Sequence, residues 1–157
     1  MSVNWMKDIA EMHRKYGVNE AVEKFSAEKL QKFLEFRINF IEEELNELKE
    51  SDNPEDAVDA LIDICVVAIG TLNAFQVNSK TAWDEVLRAN MEKVVGVKDS
   101  RPNPLGLPDL IKPEGWVGPD HTDNYGLFTK AYSKKTQDNT NYEFAFEDET
   151  VIIDAND

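Results

Sequence analysis

Glu43, Glu44 and Glu47 fall three and four residues apart in the run Glu42-Glu43-Glu44-Leu45-Asn46-Glu47, and Asp56, Asp59 and Asp63 repeat at the same spacings. Residues three or four apart share one face of a helix, so each set forms a carboxylate patch. Asp63 stands between Ile62 and Ile64-Cys65, and a carboxylate among apolar side chains is costly without a compensating cation. Two such patches on neighbouring helices fit a shared site for a hard metal ion. Carboxylate oxygens suit Mg²⁺ or Mn²⁺, whereas imidazole and thiolate would point to zinc. No histidine accompanies the acids, and Cys65 belongs to the apolar run 64–69 as a small core residue. Zinc is not expected. By spacing alone a solvated helix face is the better reading of the glutamates, and Asp56 fits the decoration of a helix N-terminus. The aspartates embedded in apolar sequence tip the balance to metal. Arg37, six residues before Glu43, reads as a salt-bridge partner for the acids.

The chain has 157 residues, with 31 acids against 17 Lys and Arg and a formal charge of −14. That is a poor surface for nucleic acid or an anionic membrane, and a polyanionic substrate would need its charge bridged by divalent cations. A single cysteine forms no intrachain disulfide, which fits a reducing compartment. The reading finds no apolar run long enough to span a bilayer and no signal-peptide pattern in the first residues. It therefore expects a cytoplasmic location, in the host cytoplasm if the chain is phage-encoded. The length suits one domain with a real core.

The elements that must position the acids are helices. Residues 3–15 read as a short amphipathic helix with Gly17 as its stop. Ser26 caps a second helix reaching about residue 49, with Leu30, Phe33, Leu34, Phe40 and Ile41 in a wide apolar stripe. Asn53 and Pro54 open a third over 54–75, so apolar that it is expected to be the central and most buried one. Its Gly70 would permit close packing by a neighbour. Asn78-Ser79 opens a fourth over about 80–95. Five of the six prolines lie in 101–119, which reads as an extended segment draped over the bundle and anchored by Trp116. The last 22 residues hold seven acids and no Lys or Arg, and either a short hairpin over 143–153 or a mobile tail fits them. His13 and His121 read as surface or capping residues. Trp5 and Trp116 are packing anchors that could also stack on a base. The fold class is all-α, an antiparallel bundle over 1–120 with an irregular, acidic C-terminal extension over 121–157.

Taken in order, these residues resemble the MazG-like all-α nucleoside triphosphate pyrophosphohydrolases, related also to phosphoribosyl-ATP pyrophosphohydrolase and the dimeric dUTPases. The resemblance covers roughly residues 5–120. Glu43, Glu44 and Glu47 match an EExxE motif, and Arg37 an arginine that often precedes it. Asp63 and Gly70 match a second motif, although its glutamate is replaced by Ala60, with Asp59 or Asp56 able to take over. Glu85-Val86-Leu87-Arg88-Ala89-Asn90-Met91-Glu92-Lys93 is similar to the block EVHRANxxK, and Lys112-Pro113-Glu114-Gly115-Trp116 to KPxGW. Each motif is weak; four in order are specific.

The resemblance implies hydrolysis of a (d)NTP to (d)NMP and pyrophosphate with Mg²⁺ (or Mn²⁺), by a homodimer or homotetramer. Glu43, Glu44, Glu47, Asp59 and Asp63 would hold metal, with Glu44 the preferred proton acceptor and Glu47 essential. Arg37, Asn90, Lys93 and Trp116 would contact substrate, and Lys93 would also meet the departing pyrophosphate. Similarity to the phage-type MazZ subgroup leans to (d)GTP, with dUTP the main alternative. A non-catalytic helical interaction module, for which Ala60 argues, stays open. A di-iron bundle would need Glu-x-x-His pairs, which are missing.

Overall fold

Three side-chain caps divide the chain at the positions read from its sequence. In the computed structural model, which describes residues 4–100, 105–107 and 109–133, Ser26 Oγ accepts from the backbone N–H of Lys29 at 3.1 Å. Asn53 Oδ1 accepts from Asp56 N at 2.9 Å and Asn78 Oδ1 from Thr81 N at 3.0 Å. Each bond satisfies an orphan donor of a first helical turn. The helices are α1 (Trp5–Lys15), α2 (Val18–Glu23), α3 (Ala27–Glu50), α4 (Pro54–Ala74), α5 (Ser79–Met91) and α6 (Phe128–Tyr132), and the strands are β1 (Val94–Gly96) and β2 (Asp109–Ile111). The short α2, not foreseen from the sequence, follows a left-handed Gly17 with φ +70°. The fourth expected helix, α5, ends at Met91 rather than near 95, because Val94-Val95 leaves it to pair antiparallel with Leu110-Ile111.

The tight turn at 51–53 reverses the chain, so α3 and α4 run antiparallel with a register that three contacts fix. Phe33 stacks on Phe75, centroids 5.7 Å apart. Arg37 Nε donates to Thr71 Oγ1 at 2.9 Å and its Nη2 to the Val67 carbonyl at 2.8 Å. Continuing in that direction sets Glu44 beside residues 59–63. The hydrophobic core lies at the opposite end of this seam, around Val22, Leu30, Phe33, Ala74, Phe75 and Ala131. At a rise of about 1.5 Å per residue, Glu44 lies roughly 16 Å along α3 from Phe33.

Ala131 carries a correction. The expected boundary at residue 120 cuts through packing, because Leu127, Phe128 and Ala131 belong to this core. Phe128 stacks on Phe75 at 4.1 Å with rings 7° apart, and Leu127 N donates to the Phe75 carbonyl at 2.7 Å. Gly126 makes the approach possible: at φ +50°, an added Cβ would stand 2.0 Å from the Phe75 carbonyl oxygen. The expected hairpin over 143–153 lies outside the described residues.

Helix α4 is covered in its second half and open in its first. It packs against α3, α1, α2 and α5 and is central in that sense. It also holds more buried residues than any other described helix (Ala60, Val67, Gly70, Thr71 and Ala74), although Val58, Leu61 and Ile62 in its first half are 62%, 51% and 42% exposed. Its most apolar 18 residues have a mean hydropathy of 1.8, so by length and composition this 21-residue helix could cross a membrane, which the search for a long apolar run did not anticipate. Glu55, Asp56, Asp59 and Asp63 in its first half, together with its four helical neighbours, mark it as a bundle helix. Cys65, expected in the core, is only half-buried. It lines a cleft of about 170 Å³ with Trp5, Ile9, Ile62, Val66 and Ile69.

His13, expected at the surface or as a cap, is buried, because Gly70 leaves room for it. A Cβ on Gly70 would lie 2.8 Å from Arg37 Nη2 and 3.0 Å from His13 Nε2. His13 Nδ1 donates to Asn73 Oδ1 at 3.0 Å. Burial lowers the imidazole pKa below 6.5, the Asn73 bond opposes this, and the Arg37 charge adds to the lowering. Below about pH 6.5 the unfolded chain therefore binds a proton that the folded protein refuses, and stability falls with pH until the lowered value is reached. The wild-type Tm should drop further between pH 7.5 and 5.5 than that of His13→Gln. Parallel drops in a thermal-denaturation series would show that this histidine is not kept neutral by the fold.

Candidate functional site

Along α3 the positions facing α4 step through Leu30, Phe33, Arg37, Ile41, Glu44 and Leu48, a spacing of three and four. The sixfold stripe turns polar twice, and Glu44 is the carboxylate it carries into the seam. Glu44 is 9% exposed, whereas Glu43 and Glu47, on the flanks of the same turn, face solvent. On α4 the matching face is made small by Ala60, Val67, Gly70, Thr71 and Ala74. Ala60 occupies the position where a glutamate was expected, and it is 3% exposed. The seam is filled there by a methyl group, with Asp59 and Asp63 on either side.

This arrangement leaves Glu44 in a negative field. Its Oε2 is buried with no hydrogen-bond partner. Burial raises its pKa above the usual glutamate value, and the charges of Glu47, Asp63, Glu43 and Asp59 raise it further. Those four, with Glu44 itself, are the five candidate metal ligands. The structure thus brings them into one electrostatic neighbourhood. Asp56 is turned elsewhere, its Oδ2 accepting from Asn53 Nδ2 at 2.6 Å. Of the two aspartates able to replace the missing glutamate, Asp59 is the one whose charge reaches Glu44. Among the described residues no three acidic, histidine or cysteine side chains already converge on one ligating point. The carboxylates form a field, not a finished coordination sphere. A buried orphan oxygen among hard donors fits Mg²⁺ or Mn²⁺.

Arg37 does not join this field as a salt-bridge partner. Its bonds to Thr71 and Val67 tie α3 to α4, and among the described residues it makes no ion pair with an acid. A guanidinium offers several donors in a rigid fork, and here the fork is spent on helix register.

The second group of candidates assembles around Trp116. Trp116 Nε1 donates to the Ala89 carbonyl at 2.7 Å, filling the space above a residue only 1% exposed. Lys93 Nζ donates to Asn90 Oδ1 at 2.8 Å and stands 5.5 Å from the centroid of the Trp116 ring. Asn90, Lys93 and Trp116 therefore form one cluster. Arg88, which the sequence reading left without a role, holds the chain beside it. Its Nη2 donates to the Gly118 carbonyl at 3.0 Å and to Glu85 Oε2 at 3.2 Å, and its Nη1 to Glu92 at 3.1 Å. Asp120 N donates to Glu85 Oε2, and that bond, then Arg88, holds the Glu85 carboxyl below its usual range. Residues 116–120 are thereby fastened along α5 with Trp116 as anchor; of the segment 101–119 expected to drape over the bundle, 101–104 and 108 lie outside the described residues and 109–111 form β2. Lys112 also stacks on the indole, at 4.6 Å. It was named in the KPxGW segment but not as a site residue; strand pairing, invisible in the motif, puts it there. His121 is half-exposed. Trp5, 47% exposed, lines the α1–α4 cleft away from this cluster.

Residues 10–90, just over half the chain, match the family described as phosphoribosyl-ATP pyrophosphohydrolase. No curated protein and no solved structure matches the chain. The matched stretch runs from α1 through Asn90 and so contains all five acids. If these acids form a cation site, Mg²⁺ at a hundredfold excess over its Kd should raise Tm by roughly 5–10 °C, and Glu44→Gln should remove most of the rise. Equal shifts in both proteins, followed by differential scanning fluorimetry, would mean that the ion binds elsewhere.

Proposed function

The chain belongs to the phosphoribosyl-ATP pyrophosphohydrolase family, enzymes that split phosphoric anhydrides of nucleotides on a MazG-like helical fold, and from that premise we propose a metal-dependent nucleoside triphosphate pyrophosphohydrolase that converts (d)NTP to (d)NMP and pyrophosphate. The observation that carries this reading is the buried, partnerless Glu44 oxygen among four further acids. Only a cation relieves that arrangement while keeping the carboxylates ionised.

In this reading Glu43, Glu44, Glu47, Asp59 and Asp63 hold Mg²⁺ or Mn²⁺. The ion supplies charge compensation for the phosphates and acidifies a water. Glu44, whose pKa is raised by burial above the usual glutamate value, accepts the proton of the water that attacks phosphorus. Glu47, solvent-facing one turn further on, completes the donor set. Asn90 orients phosphate, and Lys93 meets the pyrophosphate as it departs with its added negative charge. Trp116 serves this by holding Lys93 over its ring; its N–H is already committed to Ala89. Arg37 contributes by keeping α3 and α4 in the register that collects the acids.

The base preference leans to (d)GTP, by similarity to the phage-type MazZ branch, with dUTP as the alternative. Pyrophosphate release should be measured with Mg²⁺ on eight common (d)NTPs and phosphoribosyl-ATP. Turnover of at least one (d)NTP is expected, and Glu47→Gln should abolish it while leaving the helical circular dichroism intact. Activity on phosphoribosyl-ATP alone would reassign the substrate, and no activity on any would favour a helical interaction module.

The reading includes a homodimer or homotetramer with a shared cleft. Support comes from two uncovered apolar stripes, Val58, Leu61 and Ile62 on α4, and Trp83, Leu87 and Met91 on α5. Light scattering coupled to size-exclusion chromatography should give twice or four times the chain mass. A monomer at micromolar concentration would count against the shared cleft.

A further inference from the structure

The two strands that follow α5 do more than brace it. Val94 lies opposite Ile111 in the antiparallel ladder, and continuing that register by one residue sets Lys93 opposite Lys112. Like charges facing each other across a strand pair are destabilising. Both ammonium groups nevertheless gather on one indole, Lys112 at 4.6 Å and Lys93 at 5.5 Å from the Trp116 centroid. Neither has an ion-pair partner among the described residues, in a chain with 31 acids. Glu92, the acid next to Lys93 in sequence, is turned to Arg88. Two lysines that share one indole and make no ion pair among the described residues are arranged for an anion that comes from outside.

We propose that Lys112 is a phosphate-binding residue, paired with Lys93 across the end of the β1–β2 ladder to grip the pyrophosphate half of a nucleoside triphosphate. This rests on the proposed activity for the identity of the anion. Two ammonium groups on one indole can each take one phosphate of a bridged pair, so the clamp selects triphosphates over monophosphates. It also explains why Trp116 is tied to Ala89: the ring is the platform on which both lysines are positioned.

Binding of inorganic pyrophosphate with Mg²⁺ to the full-length protein is measured by calorimetry, and nucleotide KM by pyrophosphate release. Lys112→Met keeps the aliphatic stem over the indole and removes the charge. It should weaken pyrophosphate binding about tenfold and raise KM similarly, the loss expected for one charge-assisted contact. Lys112→Arg should stay within about threefold of wild type, since it keeps the charge. Unchanged binding in Lys112→Met alongside weakened binding in Lys93→Met would overturn the proposal, as would equal damage from Met and Arg, which would signify packing alone. Failure of the wild-type protein to bind pyrophosphate overturns it too. A protein that binds pyrophosphate in a Lys112-dependent way but hydrolyses no nucleotide would sink the assigned activity and leave the clamp standing.

Discussion

The α3–α4 seam is aromatic at one end and negatively charged at the other, and the two ends oppose each other energetically. Phe25, Phe33, Phe75 and Phe128 form a chain of ring contacts with centroids 4.1 to 5.9 Å apart. Such pairs stabilise beyond their area burial, and they hold the helices parallel enough for Glu44, three turns away, to stay under cover. Without that hold, repulsion among five carboxylates would pry the helices apart at their acidic end. Arg37 sits between the two regimes. Its bonds to Thr71 and Val67 transmit the aromatic register to the acids, so the position of the carboxylates is set from the far end of the seam.

Much of this could be read from residue types. Ser26, Asn53 and Asn78 announce their helices because a cap is a local interaction, three residues long. The acidic spacing was visible for the same reason. Which acid turns inward was not, since that depends on how α3 lies against α4, and the difference between Glu44 and its neighbour Glu43 is one residue of rotation. Likewise the role of Ala60 emerges only when its exposure is known. The five residues of α6 have no period to detect; they are a helix because Phe128 and Ala131 fit against Phe75 and Leu30, over a sequence separation too long for any window.

Hydropathy pointed to the most buried helix at α4 but not to its open first half. An apolar helix was expected to be covered, but the pattern reports only that apolar surface exists, not whose surface covers it. Val58, Leu61 and Ile62 are left open by their own chain. At His13 the error ran the other way. An imidazole on a short amphipathic helix looks like surface, and only the missing side chain at Gly70 reveals the socket.

The strap from Trp116 to Tyr132 returns along α5 and ends against the first turns of α3, where Gln31 Nε2 donates to the Ala131 carbonyl and Lys130 Nζ to that of Phe25. Protein synthesis is vectorial, so the aromatic end remains unfinished while the preceding helices emerge from the ribosome. Phe33 and Phe75 stay open to water until the segment around Phe128 has cleared the exit tunnel. The nascent bundle is therefore at its most adhesive just before completion, and the acids crowding its opposite end give it, in that interval, the charge that keeps neighbouring nascent chains apart.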